Sequence, residues 1–291
     1  MLPVGRIGTV RTMTGIFARA TAVSPIATVR TDAGDTVTTY ASDVQPGWDI
    51  GGNANGGYLM AIAGRAMADA VGRPPVTLTA HFLRPAGTGS CEVVVTTVRD
   101  GRRFSTATAS LVMFDGEERR EIIRLLGTFG DQTVGGPSYI AEAPVDIPAY
   151  EDCELPPAAD EGPKPAMTER RAARIFPGDE GFRTGSPTGE ARIRGWFAFA
   201  DHEPIDAIGL LLAADAFHPP VFNTDLPLGW APTVELTVHI RGVPVPGPLR
   251  CSFRSRFIHD GLLDEDGEIW DSAGTLVAQS RQLALTPRPA T

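Results

Sequence analysis

The sequence predicts an α+β fold in which one helix-plus-antiparallel-sheet unit occurs twice in tandem. Three observations carry this: a strand-like hexapeptide recurs far down the chain, alternating runs follow each copy of it, and a helical stretch precedes each. The hexapeptide is Val76-Thr77-Leu78-Thr79-Ala80-His81, matched by Val234-Glu235-Leu236-Thr237-Val238-His239. Further on, Val98-Arg99-Asp100-Gly101 answers to Ile258-His259-Asp260-Gly261, and Asp115-Gly116 to Ala273-Gly274. Three matches in the same order, with little drift in spacing, indicate a duplicated domain and not a solenoid.

Taken in order, each copy opens on a strand, Thr36–Val44 in the first and Ala191–Phe199 in the second. A helix follows, Gly57–Val71 and then Pro204–Phe217. About four antiparallel strands complete the unit, with Asp100-Gly101 and Asp260-Gly261 as turn pairs. In Leu249–Phe257 the side chains of Leu249, Cys251 and Phe253 share one face, and Arg250, Ser252, Arg254 and Arg256 the other. From Ile205 to Phe217 the second helix is apolar almost all round, with Asp206 and Asp215 its only charges. Such a helix must be surrounded by protein. A bent antiparallel sheet wrapped around one central helix does this, which is the hot-dog fold; two in one chain make a double hot-dog.

The expected organisation is an N-terminal unit over residues 1–130, a linker over 131–189 and a C-terminal unit over 190–291. Seven prolines fall between Pro137 and Pro165, the composition of an extended connection that need carry no chemistry. Residues 1–12 look detached; Arg6 and Arg11 are followed by no compact apolar stretch, so a secretory signal is not expected.

With 42% hydrophobic and 21% charged residues, the chain has the composition of a globular protein. A net charge of −9 argues against a nucleic-acid partner, and no apolar run reaches membrane-spanning length. Lys164 is the only lysine, so nearly all positive charge is arginine. Cys91, Cys153 and Cys251 are scattered, giving neither a disulfide framework nor zinc spacing; a cytoplasmic protein is expected.

No Gly-x-Ser-x-Gly elbow and no His-Glu-x-x-His motif is present. Asp201-His202-Glu203-Pro204 reads as a polar helix start in a surface turn. Gly51-Gly52-Asn53-Ala54-Asn55-Gly56-Gly57 matches no nucleotide-binding fingerprint, yet it opens a helix and exposes backbone amides there. Two readings stay open: Gly52, Asn53, Gly56 and Gly57 hold a substrate carbonyl or its oxyanion, or the glycines only permit close packing. Asp215 is the sharpest single residue. Its spacing from Ile208, Leu211 and Leu212 turns it inward, and it lies late in its helix, where the dipole disfavours a carboxylate.

These residues resemble the double hot-dog acyl-CoA thioesterases of the thioesterase II type. The resemblance rests on Ile50-Gly51-Gly52-Asn53, His81-Phe82-Leu83-Arg84-Pro85 and Arg99-Asp100-Gly101-Arg102-Arg103-Phe104-Ser105. In the second copy it rests on Ala213-Ala214-Asp215, Thr233-Val234-Glu235 and Leu276-Val277-Ala278-Gln279-Ser280-Arg281-Gln282. It implies hydrolysis of an acyl-CoA by a water that Asp215, Thr233 and Gln282 position and activate. It further implies one site per chain, since Pro75 stands opposite Thr233 in the first copy. Arg84 and Arg102, with Arg99 and Arg103, are candidate partners for coenzyme A phosphates. No cofactor or metal is needed, and a homo-oligomer is implied. Strict alternation puts Thr233 on the face of Glu235 and Thr237; an irregular start after Pro232 would re-aim it. The rival readings are a non-catalytic acyl-CoA binder and a hot-dog enoyl-CoA hydratase, for which only His218 stands near Asp215.

Overall fold

The computed structural model describes residues 15–131, 137–153 and 166–287. Arg6, Arg11, Lys164 and the Pro156–Pro165 stretch lie outside the described residues. The first half contains α1 (Ile16–Ala20), β1 (Ser24–Arg30), β2 (Thr36–Val44), a small hairpin of β3 (Asp49–Ile50) and β4 (Asn53–Ala54), and α2 (Gly56–Val71). It continues with β5 (Pro75–Phe82), β6 (Gly89–Asp100), β7 (Ser105–Asp115) and β8 (Glu118–Phe129). The second half contains β9 (Arg174–Ile175), β10 (Arg192–Phe197), α3 (Gly209–Ala213), β11 (Thr233–Ile240) and β12 (Leu249–Arg254). It ends with β13 (Ile258–His259), β14 (Leu262–Trp270) and β15 (Leu276–Leu285).

Alternation decides which face of each strand turns in: β6 buries Cys91, Val93 and Val95, and β7 buries Ala107, Ala109 and Leu111. Helix α2 buries ten of its sixteen residues, including every one from Gly57 to Gly64, because the sheet and α3 enclose it. One apolar core runs through both halves. The three cysteines are buried free thiols.

Counting outward from the middle, the strands run β5-β8-β7-β6-β2 on one side and β11-β15-β14-β12-β10 on the other. The succession is the same, which is what a duplication requires, and β5 pairs antiparallel with β11 to make one continuous sheet. In that seam Thr79 stands directly opposite its own repeat partner Thr237, their hydroxyls 2.8 Å apart. The two units are thus related by an approximate twofold through this pair.

Helix α3 is much shorter than the Pro204–Phe217 helix expected from hydropathy. The Asp206 carboxylate accepts from the Ile208 and Gly209 amides, which starts the helix only there. Asp201 and Glu203 do not start it at all. They accept from Ile16, Phe17 and Ala18 amides, so this acidic turn caps α1 at the other end of the sequence. The stretch between the units is also more than a tether. Trp196 Nε1 donates to Pro148 O, β9 extends the second sheet, and Asp179 pairs with Arg194 at 2.8 Å.

Helices α2 and α3 touch through glycine. A Cβ on Gly57 would lie 2.8 Å from Leu211 O and 3.1 Å from Leu212 Cα, whereas one on Gly64 would first meet the tip of the Leu211 side chain. Backbone cannot yield as a side chain can. Gly57→Ala is therefore expected to lose on the order of 2–3 kcal/mol. Gly64→Ala should stay within about 1 kcal/mol of wild type, because the better helix residue offsets a small repacking. Urea unfolding of the two variants side by side measures the difference.

Candidate active site

The site begins where α2 begins. Gly51 and Gly52 both have positive φ (60° and 84°) and form the two-residue turn of the β3–β4 hairpin, the backbone a type I′ turn needs. The chain then enters α2 through Asn55, whose Oδ1 accepts from the Tyr58 amide as an N-cap. The other end of that amide reaches the second unit: Asn55 Nδ2 donates to Asp215 Oδ2 and to Asp215 O, both at 2.9 Å. Gly57 N donates to the same Oδ2 at 2.8 Å. Asp215 follows the last residues of α3, a helix of five residues with little dipole to oppose it, and it sits on the positive end of α2. Burial pushes the Asp215 carboxyl up to about 6, against the Gly57, Asn55 and Gly56 donors and the Arg171 charge, which hold it down.

The opposite wall is sheet. In the β11–β15 register, Thr233 faces Ala284 and Glu235 faces Leu283, so Val234 is an extra residue. This bulge changes the parity of the strand and turns Thr233 inward, the re-aiming expected of the irregular start after Pro232. The same irregularity occurs between Pro75 and Thr77 in β5, at the repeat-related position. Gln282, two residues before Ala284, shares its face; Leu236 flanks it on one side and Glu265 on the other.

Between these walls lies a cavity of about 690 Å³. Asp215, Thr233 and Gln282 all line it, as do Asn53, Gly56 and Arg84. Ile50, Leu59, Phe82, Phe217, Phe222 and Trp230 give it an apolar surface. Gly52 is not in the lining; it is exposed in the hairpin turn, its amide bonded to Asp49 Oδ2. Gly57 does not line the cavity either; its amide is spent on Asp215, so it holds the carboxylate and not an oxyanion. Arg102 is not brought there at all. Its hairpin is tied to the far end of α2 by Arg73 Nη1 on Gly101 O, a helix length or about 24 Å from the cavity.

Three lining residues, Asn55, Arg171 and Glu265, are not singled out by the sequence. Asn55 lies inside the glycine-rich run, where residue type alone does not set it apart from Asn53. Arg171 comes from the stretch read as linker; buried beside Asp215, its guanidinium is pushed down to about 10, chiefly by desolvation. Glu265 hides in the acidic run Asp264-Glu265-Asp266. Alternation with the buried Leu263 and Ile269 was the signal that it faces in. Burial, with Asp215, Asp264 and Asp266 nearby, pushes its carboxyl up to about 8. His218, weighed only as a hydratase partner, lines the cavity too. Burial and the Arg171 and Arg183 charges push it down to about 3, and Arg183 Nη2 lies 3.2 Å from its Nε2.

Residues 44–130 match the family of acyl-CoA thioesterase N-terminal domains, and residues 150–286 that of acyl-CoA thioesterase C-terminal domains. The chain belongs to the acyl-CoA thioesterase family. An uncharacterized protein of Mycobacterium tuberculosis is 28% identical, over 94% of this chain and 99% of that one. A provisionally named thioesterase II from Thermobifida fusca superposes with a TM-score of 0.80 at 29% identity, covering 94% of this chain and 98% of its own. A hot-dog protein of unknown function from Alicyclobacillus acidocaldarius superposes at 0.75 with 22% identity, over 95% and 100%, and shares the fold. The double hot-dog architecture, with its sheet of antiparallel strands around α2 and α3, is that of the family.

The raised Asp215 carboxyl ties stability to pH. The folded state holds the proton up to about pH 6 and the unfolded chain releases it near 4, so ionisation destabilises the fold increasingly across that window. Asn in this place can still accept both bonds now made to Oδ2. Asp215→Asn should therefore melt like wild type at pH 4 and above it from pH 6 upward, by an amount worth about 3 kcal/mol at most. Melting curves of the pair across pH 4–8 check this.

Proposed function

We propose that the protein hydrolyses an acyl-CoA thioester to a free fatty acid and coenzyme A. One observation carries the reading: Asp215, Thr233 and Gln282, from three separated segments, line one cavity with an apolar surface. With Asn55 and Gly57 on Oδ2, Asp215 takes the proton of the attacking water on Oδ1 and acts as general base. A carboxyl held near 6 is half-ionised close to the working pH, where a base is most effective. Thr233 and Gln282 hydrogen-bond the water and the carbonyl it attacks. The buried Arg171, whose Nε makes no hydrogen bond among the described residues, is the cationic candidate for the developing oxyanion. Arg84, exposed at the lining and bonded through Nη1 to Glu121 O, suits a coenzyme A phosphate.

Membership of the family and the gathered polar groups support hydrolysis over mere acyl-CoA binding. Against the hydratase reading, His218 is neutral and its Nε2 is engaged by Arg183. A cytoplasmic homo-oligomer belongs to the same proposal. Leu126 and Leu283, on the strands flanking the seam, are 54% and 38% exposed and suit a covered outer face. Among the described residues no helix is long and apolar enough to cross a membrane.

Thiol release over a chain-length series of acyl-CoAs tests the activity. Asp215→Asn should lower kcat by about 100-fold or more while the fold survives. Thr233→Ala and Gln282→Ala should each lose less, and should add far less than independently to the Asp215 change, because all three serve one water. In wild type, kcat/KM should fall below about pH 6 as Asp215 takes up its proton. Near-normal turnover by folded Asp215→Asn would remove Asp215 from the chemistry. A sedimentation run giving only a 30.9 kDa species at micromolar concentration would remove the oligomer.

A further inference from the structure

Two groups at the cavity are left without a hydrogen-bond partner among the described residues. The first is Gln282 Oε1. The residue is 7% exposed, and this oxygen has no hydrogen-bond partner among the described residues. Native interiors seldom leave such an acceptor without a donor. The second is Glu265, which lines the same cavity and has neither a cationic partner nor a hydrogen bond among the described residues. The β14–β15 register sets Glu265 directly opposite Gln282. Directly opposed residues on one face of a sheet have Cβ atoms about 4.5–5.5 Å apart. Glu and Gln side chains have the same length, so from opposed positions on one face their ends are within reach of each other.

We propose that Glu265 carries a proton and donates it in a hydrogen bond to Gln282 Oε1, so that Gln282 turns its amide N–H₂ toward the cavity. What that amide then does rests on the thioesterase reading; that Glu265 sets its direction does not. The surroundings agree. Asp215 faces Glu265 across the cavity, and Asp264 and Asp266 flank it on its own strand. Asp266 is paired with Arg256 and Arg281, and Asp264 lies 3.9 Å from Arg281, so those cations are engaged there. On the cavity wall stand Arg171, which pairs electrostatically with Asp215, and the neutral His218. Ionisation of Glu265 would thus place a further negative charge among carboxylates, and burial with these neighbours holds its carboxyl up to about 8. An ionised Glu265 would instead take the Gln282 N–H₂ as its own donor and leave Oε1, which donates nothing, toward the substrate. Glu265 is a positioning residue, and its proton selects which end of the glutamine amide the substrate meets.

The test compares wild type, Glu265→Gln and Glu265→Ala by steady-state thiol release from pH 6 to 10, with melting curves over pH 4.5–9. Wild-type kcat should fall about tenfold or more above pH 8, with KM nearly unchanged. Glu265→Gln, whose amide donates to Oε1 at every pH, should keep kcat within about threefold at pH 7 and lose the high-pH fall. Glu265→Ala should lower kcat about tenfold throughout, yet change little when Gln282 is already Ala. Independently of turnover, Glu265→Gln should gain in melting temperature over wild type as pH rises from about 5 to 8, and the gain should level off above. A flat melting difference overturns the proposal, as does a high-pH fall retained in Glu265→Gln or an equal loss from Glu265→Ala with and without Gln282. Wild type without turnover on any acyl-CoA would defeat the functional reading alone, and the melting series would still decide the Glu265 proton.

Discussion

The junction between the start of α2 and the end of α3 is the constraint on which the rest depends. Asn55 caps its own helix with one end of its amide and binds Asp215 with the other, and Gly57 adds its backbone to the same carboxylate oxygen. These bonds join two units that are remote in sequence. They also satisfy a buried acid that would otherwise be expensive to keep. Gly57 must be glycine for both reasons at once, since a side chain there would strike the α3 backbone and push the amide away from Asp215. Fold and site are therefore not separable at this point.

Around it the duplication is symmetric in its frame and asymmetric in its chemistry. Both seam strands carry an extra residue at the same place, Val76 and Val234, and the residues just before them turn inward alike. One of these is Pro75 and the other Thr233. A proline has no hydroxyl to offer, so the first copy keeps the frame without that group, and its helix start holds Asp215 of the second. The short α3 belongs to the same division of labour. It stops early enough for Asp215 to meet the start of α2, and the chain after it supplies His218, Phe222 and Trp230 to the cavity wall.

Much of this is legible in the sequence alone. The strand expected roughly over Thr36–Val44 has those bounds, and the internal repeat aligns Thr79 with Thr237, the residues that meet at the seam. Residue type and spacing drew out Asp215. What escaped did so for physical reasons. Hydropathy counts apolar neighbours and not hydrogen bonds, so it could not see that Asp206 delays the second helix to Gly209. Arg102 looked like part of a phosphate site because its motif is basic, but two long strands carry that turn past the wrong end of α2. Arg171 sits in proline-rich surroundings that read as a connection, and Glu265 in an acidic run that reads as a solvated face. In both, composition concealed a single side chain that tertiary contact turns inward.

The seam itself has a consequence for how the chain is made. Strand β5 gains its second neighbour only from β11, which lies 158 positions later. From the end of β8 at Phe129 to the end of β11 at Ile240 are 111 positions, so at about 5–20 residues per second the completed first unit waits roughly 6–22 s with β5 as an open sheet edge. Its residues Thr77, Thr79 and His81 are polar on the outward face, which discourages a wrong strand from settling there in the interval. Thr79, which meets Thr237 at the twofold in the finished molecule, thus belongs to the polar face of the waiting edge before its partner is made.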